Sequence, residues 1–212
     1  MKKIFHGIAT FVFAAALSFA AAASDIDDVK SYTQKIIDDT IVKIFNEEHK
    51  TEESRIVPFR RALSDNFNFD HIANFVLGVY ARGLEAAEKK SFIDAFSELN
   101  VYGYAKKFAS YSDQKVEVTG ASAAKKAGEF FVESRVAAAA SGEKDIEVAW
   151  RMQKYGDSYR VIDVVIEGVS MAMSFKNEYA PILKAAADGG KAPVAELTAK
   201  LSAKTAELKS GK

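Results

Sequence analysis

The sequence contains no cysteine, only three prolines and a single tryptophan among its 212 residues. Without cysteine, the chain forms no disulfide, carries no lipid anchor on a cysteine, and has no thiolate to bind a metal ion. If the protein is exported, its stability must therefore come from its apolar core. There is also no excess of charge of one sign, because 29 Lys and Arg balance 29 Asp and Glu. We therefore expect no nucleic-acid partner.

Histidine is also scarce. His49 and His71 are the only histidines after the first 23 residues, and neither has the spacing to a second ligand that a metal site on a helix requires. We therefore expect no metal site and no cofactor. His71 begins a short apolar stretch, where it is either a partly buried side chain with satisfied hydrogen bonds or a general base in a pocket.

Residues 1–23 have the three-part layout of a secretory signal peptide. Lys2 and Lys3 form the positive region, an apolar run covers residues 8–19, and Ala21-x-Ala23 precedes the expected cleavage site. The alternative is a retained membrane anchor, although the apolar run is too short to span a bilayer comfortably. Removal of Lys2 and Lys3 from the 29 basic residues would leave 27 against 29 acidic residues, a net charge of −2. We expect one domain over residues 24–208 and a frayed tail over residues 209–212.

Apolar periodicity predicts helices at both ends of this domain and strands in the middle. Spacings of three and four residues predict helices over residues 25–49, 51–65, 71–78, 85–110, 170–188 and 191–208. Alternation of apolar and polar residues predicts strands near residues 116–119, 130–136, 146–153 and 159–167. The fold class is therefore α+β: N-terminal helices, a curved four-stranded antiparallel sheet in meander order, and C-terminal helices that pack over it.

Residues 159–173 combine a strand, a glycine break and the start of a helix. The strand is almost continuously apolar, which is typical of a strand covered on both faces. Gly168-Val169-Ser170 lacks the second glycine that a nucleophile elbow requires. Ser170 is therefore predicted to cap the helix that follows.

Two carboxylates on this strand have two interpretations. Asp163 and Glu167 could form ion pairs with Arg135 or Arg151 on neighbouring strands, which is the interpretation that we favour. Alternatively, they could form an acid/base pair if one of them faces an apolar cavity, because burial there would raise its pKa.

Two stretches of the sequence contain short motifs that are informative together. The first covers residues 69–111 and contains Val76-Leu77-Gly78-x-Tyr80. The second covers residues 159–183 and contains Asp163 followed by Glu167-Gly168-Val169-Ser170. Together they resemble the MlaC, or toluene-tolerance, family of periplasmic phospholipid-binding proteins of the Mla pathway, and the order of the elements and the N-terminal signal also agree. The chain departs from the family at Tyr159, where many members have tryptophan, and at Lys176, near a position where many have arginine.

The resemblance implies a monomeric periplasmic carrier rather than an enzyme, with an apolar cavity between sheet and helices that buries acyl chains. Phospholipid would be its cargo, passed between an outer-membrane lipoprotein–porin complex and an inner-membrane ABC transporter complex. By position in the family, Val169 and Met171 would line or gate the cavity. The other residues that we expect along it are apolar and lie on the predicted helices and strands: Phe75, Val76, Leu77, Leu99, Tyr102, Val132, Trp150, Met152, Val164, Ile166 and Phe175.

The residues by themselves leave two alternatives open. One is a small-molecule enzyme on the same α+β scaffold, with Asp163 or His71 as its base. The other is an interaction module with a filled core, because periodicity does not distinguish a filled core from a cavity with the same lining.

Overall fold

The computed structural model describes residues 25–47, 51–109, 115–138 and 144–210. The predicted signal peptide and His49 lie outside these residues, and the predicted domain boundaries stay predictions. Among the helices in these ranges, none has both the length and the apolar character needed to cross a bilayer.

The helices lie close to where the apolar periodicity predicts them. Their bounds are residues 25–37 for α1, Glu52–Asn66 for α2, Phe69–Leu77 for α3, Ala86–Ala109 for α4, Met171–Asp188 for α5 and Pro193–Lys209 for α6. Two short elements extend this set: α1 continues as a wider π-helix over Asp38–Glu47, and a 3₁₀ turn over Gly78–Ala81 follows α3.

Capping side chains determine several of these helix ends. Thr51 begins α2, since its hydroxyl accepts from the N–H of Ser54 while the Ser54 hydroxyl accepts from the N–H of Thr51. Asn68 caps α3 by accepting from the N–H of His71. Gly78 ends α3 with a φ of 57°, a backbone conformation that favours glycine.

The sheet is antiparallel and contains five strands in meander order: β1 Val116–Ala123, β2 Glu129–Val136, β3 Ile146–Tyr155, β4 Ser158–Ile166 and β5 Val169–Ser170. The sequence predicts four, and the additional β5 is a two-residue strand paired with β4. Glu167 and Gly168 form the intervening turn with φ values of 49° and 78°. Two successive residues with positive φ are typical of the tightest hairpins, which explains how β5 can follow β4 so closely.

The register between β2 and β3 places four apolar side chains on one face of the sheet. Phe130 lies opposite Met152 and Val132 lies opposite Trp150. These four side chains belong to one buried apolar cluster that also contains side chains of α1.

A bulge in β4 explains part of its apolar run. Val164 pairs with Trp150 and Val161 pairs with Met152, while Ile162 between them has no partner in β3. Because a bulge inserts one extra residue, Val161 and Val164 share a face although they are three residues apart. Part of the continuous apolar run in β4 is therefore due to this bulge. The run does not by itself show that both faces of the strand are covered.

Three apolar clusters form the core. The helical cluster joins α3, α4, α5 and α6, the sheet cluster lies between α1 and the sheet, and the N-terminal cluster joins the π-helix, α2 and α4. Phe67, in the break between α2 and α3, packs against all three clusters. It pairs with Val161 in an isolated parallel bridge, where the N–H of Asn68 donates to the Val161 carbonyl at 2.9 Å. This break therefore connects the helices to the sheet.

Candidate functional site

An apolar cavity of about 120 Å³ lies where the helices meet strands β3 and β4. Nearly all of its lining is apolar, and both the sheet and helices α2 to α5 contribute to it. The lining residues are Leu63, Phe67, Phe69, Ile72, Phe96, Asn100, Tyr104, Trp150, Ile162, Asp163, Val164, Ile166, Met171, Ala172 and Phe175.

The structure brings several of the residues predicted for a cavity into this lining. They are Trp150, Val164, Ile166, Met171 and Phe175. Trp150 is held by a 2.9 Å hydrogen bond from its indole N–H to the hydroxyl of Ser134, which in turn donates to the Val148 carbonyl. Contact between these five lining residues and a ligand stays a prediction.

The other predicted residues lie outside the lining. Val76 and Leu77 are buried in the helical cluster, Phe75 and Leu99 pack against that cluster, and Tyr102 packs against the N-terminal cluster. Val132 and Met152 belong to the sheet cluster. Val169 is 56% exposed on β5.

Phe67, Phe69 and Ile162 line the cavity although the sequence did not predict them there. The two phenylalanines lie in a short polar break that reads as a turn, but their spacing of two residues allows both side chains to point the same way. Their rings are stacked with centroids 5.9 Å apart, and Phe69 meets Phe96 edge to face at 6.2 Å. Ile162 was missed because its bulge has no sequence signature.

Aromatic rings form one wall of the cavity. Phe96 meets Phe175 edge to face with 5.1 Å between centroids, and Phe175 stacks on Tyr179 at 6.0 Å. Such contacts stabilise a particular arrangement of rings by about 1 kcal/mol each beyond area burial. The lining on this side is therefore ordered as well as apolar.

Asp163 is the charged group in the lining, and both of its oxygens are engaged. Oδ2 accepts from the Ser170 hydroxyl at 2.6 Å, and Oδ1 accepts from the N–H of Ala172 at 2.9 Å. The Ser170 hydroxyl also accepts from the N–H of Met173 at 3.0 Å, which confirms the predicted helix cap. The site around Asp163 is therefore a double cap on the first turn of α5.

The predicted arginine partners of Asp163 and Glu167 are wrong. Glu167 accepts from the backbone N–H of Glu147, whereas Arg151 donates to Glu129 at 2.7 Å and 3.1 Å. Asp163 and Arg151 lie opposite each other in register, but the N-terminus of α5 returns to the strand and offers Asp163 closer donors. That return is a tertiary contact, which strand alternation does not predict.

The remaining polar groups of the lining are neutral. The Asn100 amide donates to the Phe96 carbonyl at 2.7 Å. Burial, with Glu178 as a secondary cause, raises the pKa of the Tyr104 hydroxyl, so this group stays protonated at neutral pH. His71 lies outside the lining, and burial lowers its pKa, so its imidazole is neutral at pH 7. No group of three or more His, Asp or Glu side chains within the described ranges is arranged to hold a metal ion.

The chain is similar to known proteins both in sequence and in fold. A family model described as "MlaC protein" matches residues 34–202. The fold is similar to that of a phospholipid-binding protein from Ralstonia solanacearum, solved in complex with a phospholipid, with a TM-score of 0.72. The two chains are 19% identical, and the similarity covers 86% of this chain and 99% of that one. No curated protein matches the chain significantly.

Proposed function

Because the chain belongs to the MlaC protein family, we propose that it binds a phospholipid and holds the acyl chains in the apolar cavity. The observation that carries this proposal is the nearly all-apolar lining at the junction of sheet and helices. The similarly folded protein from Ralstonia solanacearum, which binds a phospholipid, supports it. The phospholipid would be cargo rather than substrate, and the protein a carrier rather than an enzyme.

The carrier would work in the periplasm after cleavage of the signal peptide near Ala23. It would pass phospholipid between an outer-membrane lipoprotein–porin complex and an inner-membrane ABC transporter complex. Exposure of each methylene to water costs about 0.8 kcal/mol, so two chains of about 16 carbons would cost roughly 25 kcal/mol. An apolar lining offsets most of this cost during the crossing.

The cavity must enlarge to hold such a ligand. Its volume of about 120 Å³ is below the about 150 Å³ of an apolar protein cavity that holds a benzene molecule. The helical cluster and the sheet cluster are packed separately, and Phe67 packs against both. Separation of helices from sheet along the cavity would enlarge it and leave the contacts within each cluster intact. Lipid loading therefore proceeds by this separation.

An enzyme with Asp163 or His71 as its base has less support. Asp163 does line the cavity, but both of its oxygens cap α5. His71 lies outside the cavity lining. Neither residue presents a free basic atom to a molecule in the cavity.

The direct test is the lipid content of the exported protein, measured by native mass spectrometry and by organic extraction. We expect phospholipid to co-purify with the wild-type chain, and a chain that is free of lipid would contradict the proposal. Ala172→Leu fills part of the cavity, so it should lower lipid occupancy several-fold. The matched control is Ala195→Leu on the exposed face of α6, which should keep wild-type occupancy.

A further inference from the structure

A second cavity adjoins the apolar one and opens to solvent. This polar cavity has a volume of about 350 Å³ and shares Leu63, Phe67 and Phe69 with the apolar cavity as common walls. Two other open cavities, of about 550 and about 480 Å³, have no lining residue in common with the apolar cavity. A molecule with apolar chains in the apolar cavity could therefore place its polar end in the polar cavity.

Most charged side chains of the polar cavity already have a partner of opposite sign. Arg60 donates two hydrogen bonds to the carboxylate of Glu98, at 2.8 Å and 2.9 Å. Asp70 and Asp94 each lie within 2.8 Å of a lysine ammonium group. These three charges of the lining, Arg60, Asp70 and Asp94, are therefore compensated within the fold.

Arg160 is the exception. It lines the same cavity, and it forms no ion pair with any residue that the structure describes. Its guanidinium lies over the ring of Tyr155, 5.5 Å from the centroid. A guanidinium stacked on a ring keeps the N–H groups around its edge available for hydrogen bonds. The polar cavity therefore contains one uncompensated cation with free donors.

We propose that the polar cavity is a phosphodiester site, in which Arg160 donates hydrogen bonds to the phosphate of a phospholipid whose acyl chains occupy the apolar cavity. This assignment rests on the proposed function. The planar fork of a guanidinium matches the oxygens of a phosphate, and the charge makes these hydrogen bonds strong. Because the phosphodiester is common to phospholipids, Arg160 holds the lipid without selecting among headgroup alcohols.

Phe67 and Phe69 mark the boundary that such a lipid crosses. Each contributes to both the polar and the apolar cavity, and their rings are stacked with centroids 5.9 Å apart. The glycerol backbone would lie beside these rings, with the chains on one side and the phosphate on the other.

The test compares two lipids with identical chains. Dioleoylphosphatidylglycerol carries the phosphate, and dioleoylglycerol lacks it. Vesicles that contain one of these lipids at a few mole per cent are incubated with the wild type, Arg160→Gln and Arg82→Gln, and the lipid retained per chain is measured after separation. Arg82→Gln removes the same charge from an exposed position outside both cavities.

We expect Arg160→Gln to retain phosphatidylglycerol about tenfold more weakly, as the loss of a charged hydrogen bond predicts, and to retain dioleoylglycerol like the wild type. Arg82→Gln should resemble the wild type with both lipids. Equal retention of phosphatidylglycerol by Arg160→Gln and the wild type would overturn the assignment. Equal weakening with both lipids would also overturn it, because the effect would not depend on phosphate.

Two further results separate the sources of the anion and the two proposals. If inorganic phosphate binds the wild type but not Arg160→Gln, while retention of phosphatidylglycerol is equal in both, the site takes free phosphate and the headgroup assignment is overturned. If the wild type retains neither lipid, the proposed function itself fails, and the phosphodiester site fails with it.

Discussion

The Ser170 hydroxyl donates a 2.6 Å hydrogen bond to the carboxylate of Asp163 across the turn that joins β4 to β5. The second carboxylate oxygen accepts from the N–H of Ala172 at 2.9 Å. One charged side chain of the sheet thus binds the first turn of α5, where the helix dipole favours a negative charge. This contact holds α5 at the wall of the apolar cavity.

We therefore expect Asp163→Ala to lower the free energy of unfolding by about 2 kcal/mol, because the cap is lost and the N–H of Ala172 is left without its acceptor. Asp163→Asn keeps one acceptor and should cost about 1 kcal/mol. Urea denaturation at pH 7 measures both. Glu178→Ala removes an exposed carboxylate from the same helix and should change stability by no more than about 0.5 kcal/mol. A cost for Asp163→Ala no larger than that of the control would contradict the capping role.

A second carboxylate in the cavity lining, without the hydrogen-bond donors that Asp163 has, should prevent lipid retention. Val164→Glu places a charge among apolar side chains, and we expect at least a tenfold loss of bound lipid by native mass spectrometry. Val57→Glu makes the same change on an exposed face of α2 and should leave lipid content unchanged. Circular dichroism is the control measurement that tests whether both variants fold. Equal lipid content in these two variants would exclude the cavity as the binding site.

Val169 is exposed and precedes Met171 of the cavity lining by two residues, and we propose that it contributes to the cavity mouth. Val169→Glu should therefore lower lipid retention, because chains that pass the mouth would meet a charge there. The same mass-spectrometric measurement tests it beside Val57→Glu. Wild-type retention would place Val169 outside the path of the lipid.

Glu98 should make stability depend on pH in the acid range. Its hydrogen bonds from Arg60, and secondarily from Lys209, lower its pKa from the ordinary value of 4.5. The stabilisation by its carboxylate is therefore fully present above that ordinary value and is lost as the pH falls through the lowered folded pKa. Glu98→Gln should cost about 1 kcal/mol at pH 7 and less at pH 3, measured by urea denaturation at both values.

The matched control is Glu207→Gln, which removes an exposed pair with Lys204 on α6. It should leave the pH dependence close to that of the wild type. If Glu98→Gln costs as much at pH 3 as at pH 7, the ionised carboxylate is not the source of the stabilisation.

The Glu129 carboxylate should contribute strongly to folding, since its side chain is only 1% exposed and accepts from both Arg151 and Lys126. Glu129→Ala should lower the free energy of unfolding by about 3 kcal/mol, because Arg151 would lose its partner at a part-buried position. Glu117→Ala, at an exposed pair with Lys115 on β1, should cost less than about 0.5 kcal/mol. Thermal or urea denaturation measures the difference, and equal costs would show that burial of the pair is unimportant.

Local patterns predicted much of the fold for physical reasons that are themselves local. The apolar side of a helix or strand recurs with the period of its backbone, and so the helices and the four longer strands are visible in the sequence. Ser170 was recognisable as a helix cap, because the first N–H groups of a helix need a side-chain acceptor. The two-residue β5 and the bulge at Ile162 were missed, because neither changes the residue pattern over a long enough stretch.

The sequence by itself determined the α+β class, the order of the elements and the family, since each depends on residues close together in the chain. Only the tertiary structure decided which apolar side chains surround the cavity: Phe67, Phe69 and Ile162 do so, whereas Val132 and Met152 belong to the sheet cluster. It also decided that Asp163 caps α5 and that no carboxylate within the described ranges pairs with Arg160. These outcomes depend on which elements approach each other in space. The periodicity of one element shows which of its sides is apolar, but it does not show which other element packs against that side.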